Sequence, residues 1–430
     1  MNTDPRGEHS TLTASPRPIS YAELIRTNRN YRYLWLGQIV SLLGDWFNLI
    51  ASATLIALLT ESGLAVGSLF VVRMLAPFLV SPIAGVVADR FNRKHILIAT
   101  DLGRALTLLA FLLIRDPGDI WLLYILTGVQ MGISGFFTPT RTAILPDLVS
   151  GPELGAANAL SNATWSAMLS LGAALGGIVS GVWGVYPAFV IDSLTFLISG
   201  LFILQIRIAP TLNPGALAHP LRAALTKYLE GLAYLRHNLT ILVTTLHKAM
   251  IGLMAGSTFE IVQVSIAEEV FTVGAGGSLS LGFMFMMTGV GSGVGPILAR
   301  VFTGDTNHRL SLAIVLGYGT MAVGYLIVYP LTSFVATLFG ILLRGLGGGV
   351  VWAFSSQLLL QQVPGQVRGR VFATEFAFFM LAASVGAFTV GRALDAFSIS
   401  SVIGGLAALV LVPGSLWALW VARQARGEVR

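Results

Sequence analysis

The chain has 430 residues, of which 55% are hydrophobic and only 11% are charged, and its mean hydropathy is +0.78. A soluble globular protein carries about 25% charged residues, so lipid is the natural solvent for much of this chain's surface. Cysteine is absent, which excludes disulfides, thiolate nucleophiles and cysteine-based metal sites.

Apolar runs long enough to cross about 30 Å of hydrocarbon as helices recur along the chain. They follow a polar segment, 1–32, in which no cleaved signal peptide is recognisable, and which we expect to be a cytoplasmic tail. The predicted spans are 33–58, 66–88, 95–114, 120–141, 154–182, 186–206, 239–262, 278–299, 309–329, 333–360, 370–391 and 398–422. The sequence therefore predicts an all-α membrane protein, with a six-helix bundle over 33–206, a second over 239–422 and a short cytoplasmic tail over 423–430.

The distribution of basic residues predicts the orientation. Twenty Lys and Arg residues fall in segments on the side of the N-terminus, and two, Arg115 and Arg392, fall in the opposite loops. The positive-inside rule then places both termini in the cytoplasm and the chain in the cell (inner) membrane. The net charge of +6 is explained as a topology signal, so we expect no nucleic-acid partner.

The longest internal polar stretch, 207–238, separates the two bundles. Leucines recur at helical spacing over 221–236, which predicts an amphipathic helix on the cytoplasmic surface of the membrane.

The segment GVVADRFNRK (85–94) has a glycine near the end of predicted span two and one acid and three bases in the loop before span three. They are Gly85, Asp89, Arg90, Arg93 and Lys94. This segment resembles the signature between helices two and three of the major facilitator superfamily. The resemblance implies a fold of twelve helices in two six-helix halves. We expect the motif to act as a gate, a cytoplasmic latch whose charge-assisted bonds break when the protein opens inward.

Further segments resemble the drug-exporter branch of that superfamily, which includes macrolide efflux proteins and the enterobactin exporter. They are NRNYRYLWLGQ (28–38), Gly44-Asp45, FTPTRTAILP (137–146), Ile191-Asp192-Ser193 and Gly369-Arg370-Val371-Phe372. The resemblance implies secondary active export of amphipathic organic compounds of drug or macrolide type by proton antiport. Helix five, GAALGGIVSG (172–181), lacks the Gly-Pro pair of the antiporter motif. A siderophore exporter, a lysophospholipid flippase and a membrane sensor or scaffold without flux remain as alternatives.

Three acids in the predicted spans are proton-coupling candidates: Asp45, Glu260 and Glu375. A carboxylate at membrane depth is costly unless it is protonated, paired or hydrated. Asp45 lies near the middle of the first span, Glu260 toward the outer end of the seventh, and Glu375 where a base on a cytoplasmic loop could pair with it. Asp192 in the sixth span is interpreted as a helix-packing partner.

Four bases lie in the spans: Arg73, Arg104, Lys248 and Arg344. The spacing of Asp101 and Arg104 predicts an ion pair on one helix. Arg344 is the candidate for tuning the pKa of a coupling acid.

Aromatic and amide residues at span centres are candidates for lining a cavity that binds an amphipathic substrate. They are Gln38, Trp46, Asn48, Gln130, Trp352, Gln357 and Phe379. No lysine follows a glycine, which excludes the phosphate-binding loop of ATP-driven pumps, and no H-E-x-x-H metalloprotease motif occurs. We expect a monomeric transporter with no enzymatic activity, no cofactor and no metal.

Overall fold

The computed structural model describes residues 20–60, 62–208, 220–304 and 306–426, and within these ranges the regular structure is helical, with no strand. Twelve helical segments in this part of the chain are long and apolar enough to cross a membrane. The predicted class, an all-α membrane protein with twelve spans, is confirmed.

The first half contains one short helix and six spanning helices. They are α1 Tyr21–Thr27, α2 Arg29–Thr60, α3 Gly63–Arg90, α4 Arg93–Ala110, α5 Ile120–Leu148, α6 Gly151–Trp183 and α7 Val185–Leu204. Local signals fix where helices begin. The Ser62 hydroxyl accepts the backbone N–H of Ala65 at the start of α3, and the Asn92 side chain accepts that of Lys94 at the start of α4. Gly184 joins α6 to α7 with φ of +90°, a conformation that favours glycine.

A linker helix and the second half follow. Their helices are α8 Pro220–His237, α9 Leu239–Met254, α10 Gly256–Ser265, α11 Ser278–Thr303, α12 Asn307–Val328, α13 Phe334–Gln362, α14 Gly365–Leu394 and α15 Ile399–Ala425. The seventh span consists of α9, α10 and a π-helical turn, Ile266–Val270.

Helix α8 lies in the predicted linker, of which residues 209–219 fall outside the described residues. It packs against α3 of the first half and α14 of the second. Arg370 Nε lies 3.0 Å from Glu230 Oε2, and a Cβ on Gly231 would meet the Arg370 carbonyl oxygen at 2.9 Å. The linker helix is therefore docked closely on the protein, and its position on the membrane surface stays a prediction.

The two halves meet along α3–α14 and α6–α11, and one apolar core runs through both. Successive spans reverse direction, so α2 begins and α15 ends at the same end of the bundle, called here the terminal end. At the opposite, far end the backbones approach closely. A Cβ on Gly67 would meet the Ala387 carbonyl oxygen at 2.7 Å, and a Cβ on Gly177 would meet Gly282 Cα at 2.7 Å. Small residues thus allow the halves to pack backbone against backbone.

The seventh span is broken between α9 and α10. Ala255 has φ −132° and ψ −50°, and side chains of other helices donate to carbonyl oxygens at this break. The Tyr325 hydroxyl donates to the Met254 carbonyl oxygen, and Arg344 Nη1 donates to that of Ala255 at 3.0 Å. Irregular backbone at membrane depth requires such partners, and broken helices border the binding sites of many secondary transporters.

Candidate functional site

Arg104 on α4 is buried at the centre of the first half. Its Nη2 donates to Asp101 Oδ1 at 2.5 Å, and the Ser199 hydroxyl donates to Oδ2 of the same carboxylate at 2.8 Å. Its guanidinium carbon lies 4.4 Å from the ring centroid of Phe137 and 4.0 Å from that of Phe196. The predicted ion pair is confirmed, and two cation–π contacts hold the arginine in place.

Asp45 on α2 faces the same guanidinium. Its Oδ2 lies 4.0 Å from Arg104 Nη1, and 27% of its side chain is exposed. Its buried Oδ1 has no hydrogen-bond partner among the described residues. Asp45 is therefore a loosely paired carboxylate with partial access to the surroundings, as a proton-exchanging group requires.

Asp192 on α7 lies next to Asp45 but is fully buried. Its Oδ1 lies 3.2 Å from Thr195 Oγ1, and its Oδ2 has no hydrogen-bond partner in the described part of the chain. A Cβ on Gly44 would overlap both Asp192 Oδ1 and Thr195 Oγ1. The backbone beside Asp45 is thus in direct contact with the second carboxyl group.

Two further arginines connect these acids to the second half. Arg73 Nη1 donates to Asn48 Oδ1 at 3.1 Å, and the charge of Arg73 acts on both Asp45 and Glu260. Glu260 lies on α10, just after the break in the seventh span, and Arg344 of α13 is its second cationic neighbour. The electrostatic network therefore crosses from one half to the other.

Four acids and three arginines form this network in the described part of the chain, and we call them the central charged cluster. They are Asp45, Asp101, Asp192, Glu260, Arg73, Arg104 and Arg344. With every group ionised, the cluster has a net charge of −1. An uncompensated charge in a low-dielectric interior is strongly unfavourable. One bound proton or one monovalent cation would neutralise it.

A separate ion pair lies in the second half. Lys248 Nζ on α9 donates to Glu375 Oε2 on α14 at 2.8 Å, with the side chains only 10% and 1% exposed. Glu375 thus pairs with a base inside the bundle, and not with a base on a loop. The Lys248 ammonium also lies 4.7 Å from the ring centroid of Trp352 and 5.6 Å from that of Phe372.

Aromatic rings extend from this ion pair along α13 and α14. The rings of Trp352 and Phe379 pack edge to face with centroids 5.0 Å apart, and Phe376 lies 6.0 Å from Phe379. Trp352 and Phe376 are 36% and 51% exposed. The part of these rings in binding a substrate stays a prediction.

Gln38 belongs to a contact that the sequence did not reveal. The predicted fourth span ended at Arg141, but α5 continues to Leu148, so Arg141 lies inside a helix. Its guanidinium donates to Gln38 Oε1, and Gln38 Nε2 donates to the Ser161 carbonyl oxygen at 3.1 Å. A base at the edge of an apolar run suits a loop as well as a helix, so the sequence could not distinguish them.

The remaining cavity candidates differ in exposure. Asn48 and Gln130 are buried, and neither amide atom of Gln130 has a hydrogen-bond partner among the described residues. Trp46 and Gln357 are partly exposed, and Trp46 packs against Phe285 of the other half with ring centroids 6.2 Å apart. Their part in a substrate cavity stays a prediction.

Two bases of the predicted gate bind the ends of neighbouring helices. Arg93 Nη1 lies 2.6 Å from Asp147 Oδ2 on α5. Lys94 Nζ donates to the carbonyl oxygens of Leu204 and Ile206, at the end of α7, at 2.8 Å each. Both bases therefore bind within the first half in this conformation.

The other motif residues lie at the end of α3. Arg90 is exposed, and the side-chain positions of Gly85 and Asp89 lie outside the described part of the structure. The gating role of the motif stays a prediction.

An apolar cavity of about 560 Å³ lies among α9, α14 and α15, lined by residues such as Leu253, Val390, Phe397 and Leu406. None of the described residues that line it is charged, and none belongs to the central charged cluster. It is therefore separate from the central charged cluster.

Known proteins resemble this chain over most of its length. YfiS, an uncharacterised MFS-type transporter of Bacillus subtilis (strain 168), is 26% identical over 372 residues, covering 84% of this chain and 86% of that protein. The putative bacilysin exporter BacE of the same organism is 26% identical over 364 residues, with 83% and 86% covered. Macrolide efflux protein A of Streptococcus pyogenes is 28% identical over 222 residues, with 48% and 51% covered.

The fold is also similar to that of the nucleoside transporter NupG, with a TM-score of 0.71 at 12% identity, covering 90% of this chain and 98% of NupG. The family model of the Major Facilitator Superfamily matches residues 34–387. The resemblance to macrolide efflux proteins is thereby confirmed, and its family consists of transporters rather than enzymes. The chain belongs to the Major Facilitator Superfamily.

Proposed function

We propose that this transporter exports amphipathic organic compounds of drug or macrolide type in exchange for protons, by alternating access. We further propose that it works as a monomer in the cell (inner) membrane, with both termini in the cytoplasm. The observation that carries the proposal is the central charged cluster, which spans both halves and has one more acid than base.

The surplus acid supports proton exchange. A proton neutralises the cluster, so the protonated protein can change conformation without moving an uncompensated charge through a low-dielectric interior. Asp45 is the acid that combines a loose ion pair with partial exposure. It is therefore the group through which we propose that protons enter and leave.

The second half supports an amphipathic cargo. The aromatic rings of Trp352, Phe376 and Phe379 offer apolar area, and the adjacent Lys248–Glu375 pair offers polar contacts. A mostly apolar wall with few polar groups suits such a ligand. The names of two relatives, a putative bacilysin exporter and a macrolide efflux protein, point in the same direction.

In alternating access, one end of the bundle closes when the other end opens. The far end is closely packed in this structure, so a second conformation must close the terminal end. We propose that the 85–94 motif stabilises that arrangement when the far end opens. Arg93 and Lys94 already hold the ends of α5 and α7 to the motif, so the first half would move as one body.

Transport by purified protein in liposomes tests this proposal. A pH gradient is imposed, and accumulation of erythromycin, ethidium, a catecholate siderophore and a fluorescent lysophosphatidylcholine is compared with and without nigericin. We expect erythromycin or ethidium to accumulate above the level in protein-free liposomes, and nigericin to abolish the accumulation. Asp45→Asn should abolish this proton-driven accumulation. Glu23→Gln, which neutralises an exposed acid on α1, is the matched control and should not.

Each contrary result selects another function. Exclusive transport of the siderophore or of the lysophospholipid would replace the drug-export proposal. Absence of flux for all four compounds, with the protein folded, would favour a sensor or scaffold.

A further inference from the structure

Asp192 is the acid of the central charged cluster with the poorest compensation for a negative charge. It is fully buried, and its Oδ2 has no hydrogen-bond partner among the described residues. The Thr195 hydroxyl, its one hydrogen-bonding neighbour among the described residues, has a single proton to donate. That hydroxyl lies 2.7 Å from the backbone carbonyl oxygen of Asp192 and 3.2 Å from Oδ1.

These distances fit a neutral carboxylic acid. The shorter contact directs the Thr195 proton to the carbonyl oxygen, which leaves the hydroxyl oxygen free to accept a hydrogen bond. A protonated Oδ1 of Asp192 would supply that bond. An ionised Asp192 would instead lie buried with no full hydrogen-bond donor on either oxygen, an arrangement that proteins avoid.

The charges around Asp192 lead to the same assignment. Asp45 on α2 acts on it as a like charge, and Arg104 on α4 and Arg73 on α3 act as opposite charges. Arg104 is bonded to Asp101, and Arg73 to Asn48. Asp192 is the only charged residue of α7, and α6, which also packs against α7, carries its only charge at Glu153 in its first turn. No arginine is therefore dedicated to Asp192 in the described structure.

Asp192 packs against the helix that carries the partly exposed acid of the cluster. Gly44 contacts the Asp192 carboxyl group directly, and the next residue, Asp45, is 27% exposed. The arrangement places a buried acid behind an accessible one.

We propose that Asp192 holds a proton in this conformation, and that Asp45 passes the proton between Asp192 and the surrounding water. In the loading step, a hydronium ion gives its proton to the Asp45 carboxylate, which transfers it to Asp192 and returns to its ionised form. This inference rests on the proton exchange proposed above, and it assigns the proton to an acid that the sequence indicated only as a packing residue.

Infrared difference spectroscopy of the full chain in lipid films tests the assignment without any substrate. A protonated carboxylic acid has a carbonyl stretching band separate from the bands of carboxylates. We expect that band at neutral pH in the wild type, Asp45→Asn and Asp101→Asn, and its loss in Asp192→Asn. Thr195→Val keeps the acid but removes its hydrogen-bond acceptor, so we expect the band to shift rather than vanish.

The rate at which the carboxylic acid proton exchanges with heavy water, followed as a shift of this band, tests the role of Asp45. We expect this exchange to be several-fold slower in Asp45→Asn. Absence of the band in the wild type, or a band that neither Asp192→Asn nor Thr195→Val changes, would overturn the assignment. Unchanged exchange in Asp45→Asn would overturn the transfer step. If the band follows Asp192 but liposome transport ignores the pH gradient, the proposed function fails and the assignment of the proton to Asp192 stands.

Discussion

The carboxylate of Asp395, just after α14 of the second half, accepts the backbone N–H of Leu64, in the first turn of α3 of the first half, at 3.3 Å. The Ser62 hydroxyl donates to the same carboxylate at 3.3 and 3.4 Å. An acid at a helix N-terminus is favoured by the free N–H groups and by the helix dipole. The two halves are therefore joined at the far end by a capping interaction that opening must break.

Asp395→Asn should weaken this closure. Exposed charge interactions contribute about 0.2–1 kcal/mol, so the open population should rise by a factor of roughly 1.4 to 5. The chain contains no cysteine, so a single Ala387→Cys at the buried α3–α14 contact reports opening directly. We expect maleimide to label it faster in the Asp395→Asn background. An unchanged rate would mean that the contact does not hold the far end closed.

Gly67→Val should open the far end further. A Cβ on Gly67 would meet the Ala387 carbonyl oxygen at 2.7 Å, and overpacking costs about 1–3 kcal/mol. Gly405→Val is the matched control, since a Cβ there has no neighbour within 4 Å. The reporter is again Ala387→Cys, at a fully buried position. Labelling no faster with Gly67→Val than with Gly405→Val would contradict the close-packing account.

The effects of substituting Lys248 and Glu375 on the stability of the protein should not be additive. Removing one partner of a buried ion pair costs about 3–5 kcal/mol because the other charge stays buried. Lys248→Met and Glu375→Gln should each lower the unfolding temperature, followed by the fluorescence of the eight tryptophans, and the double variant should recover much of the loss. Glu230→Gln is the control, because the Arg370–Glu230 pair is 43% and 44% exposed and should matter little. Additive losses in the double variant would contradict the pairing.

Sequence reasoning found the spans and Asp45 because a long apolar run, and an acid inside it, are visible in composition alone. It could not find that Glu375 pairs with Lys248, a contact across 127 positions of sequence, since that pairing depends on how two helices rotate and pack. The break at Ala255 was also missed, because the donors that make it possible, Tyr325 and Arg344, lie on other helices.

The sequence also does not show how deeply each acid is buried. Asp45 and Asp192 look alike as acids in apolar runs, yet the structure leaves one partly exposed and buries the other. Sequence pattern carries no such distinction. Only the packing of α7 on Gly44 shows that Asp45 is accessible and Asp192 is buried.

Arg344→Lys should loosen the broken seventh span while keeping the positive charge. Arg344 Nη1 donates to the Ala255 carbonyl oxygen at 3.0 Å, and Nη2 lies 3.4 Å from Thr288 Oγ1, a forked geometry that lysine cannot reproduce. Hydrogen–deuterium exchange should increase around the break, over 251–258, and stay unchanged in α15. Equal protection in the variant and the wild type would show that Arg344 does not stabilise the break.

The central claim is that the protein exchanges substrate for protons, and that the protons pass through the central charged cluster. Liposomes containing the protein, erythromycin and a trapped pH-sensitive dye are diluted into erythromycin-free buffer at the same pH. We predict that erythromycin leaving the wild-type liposomes draws protons inward and acidifies the interior faster than in protein-free liposomes, and that Asp45→Asn gives only the protein-free rate. Erythromycin efflux through the wild type with no change in internal pH, or acidification by Asp45→Asn equal to that of the wild type, would contradict the account.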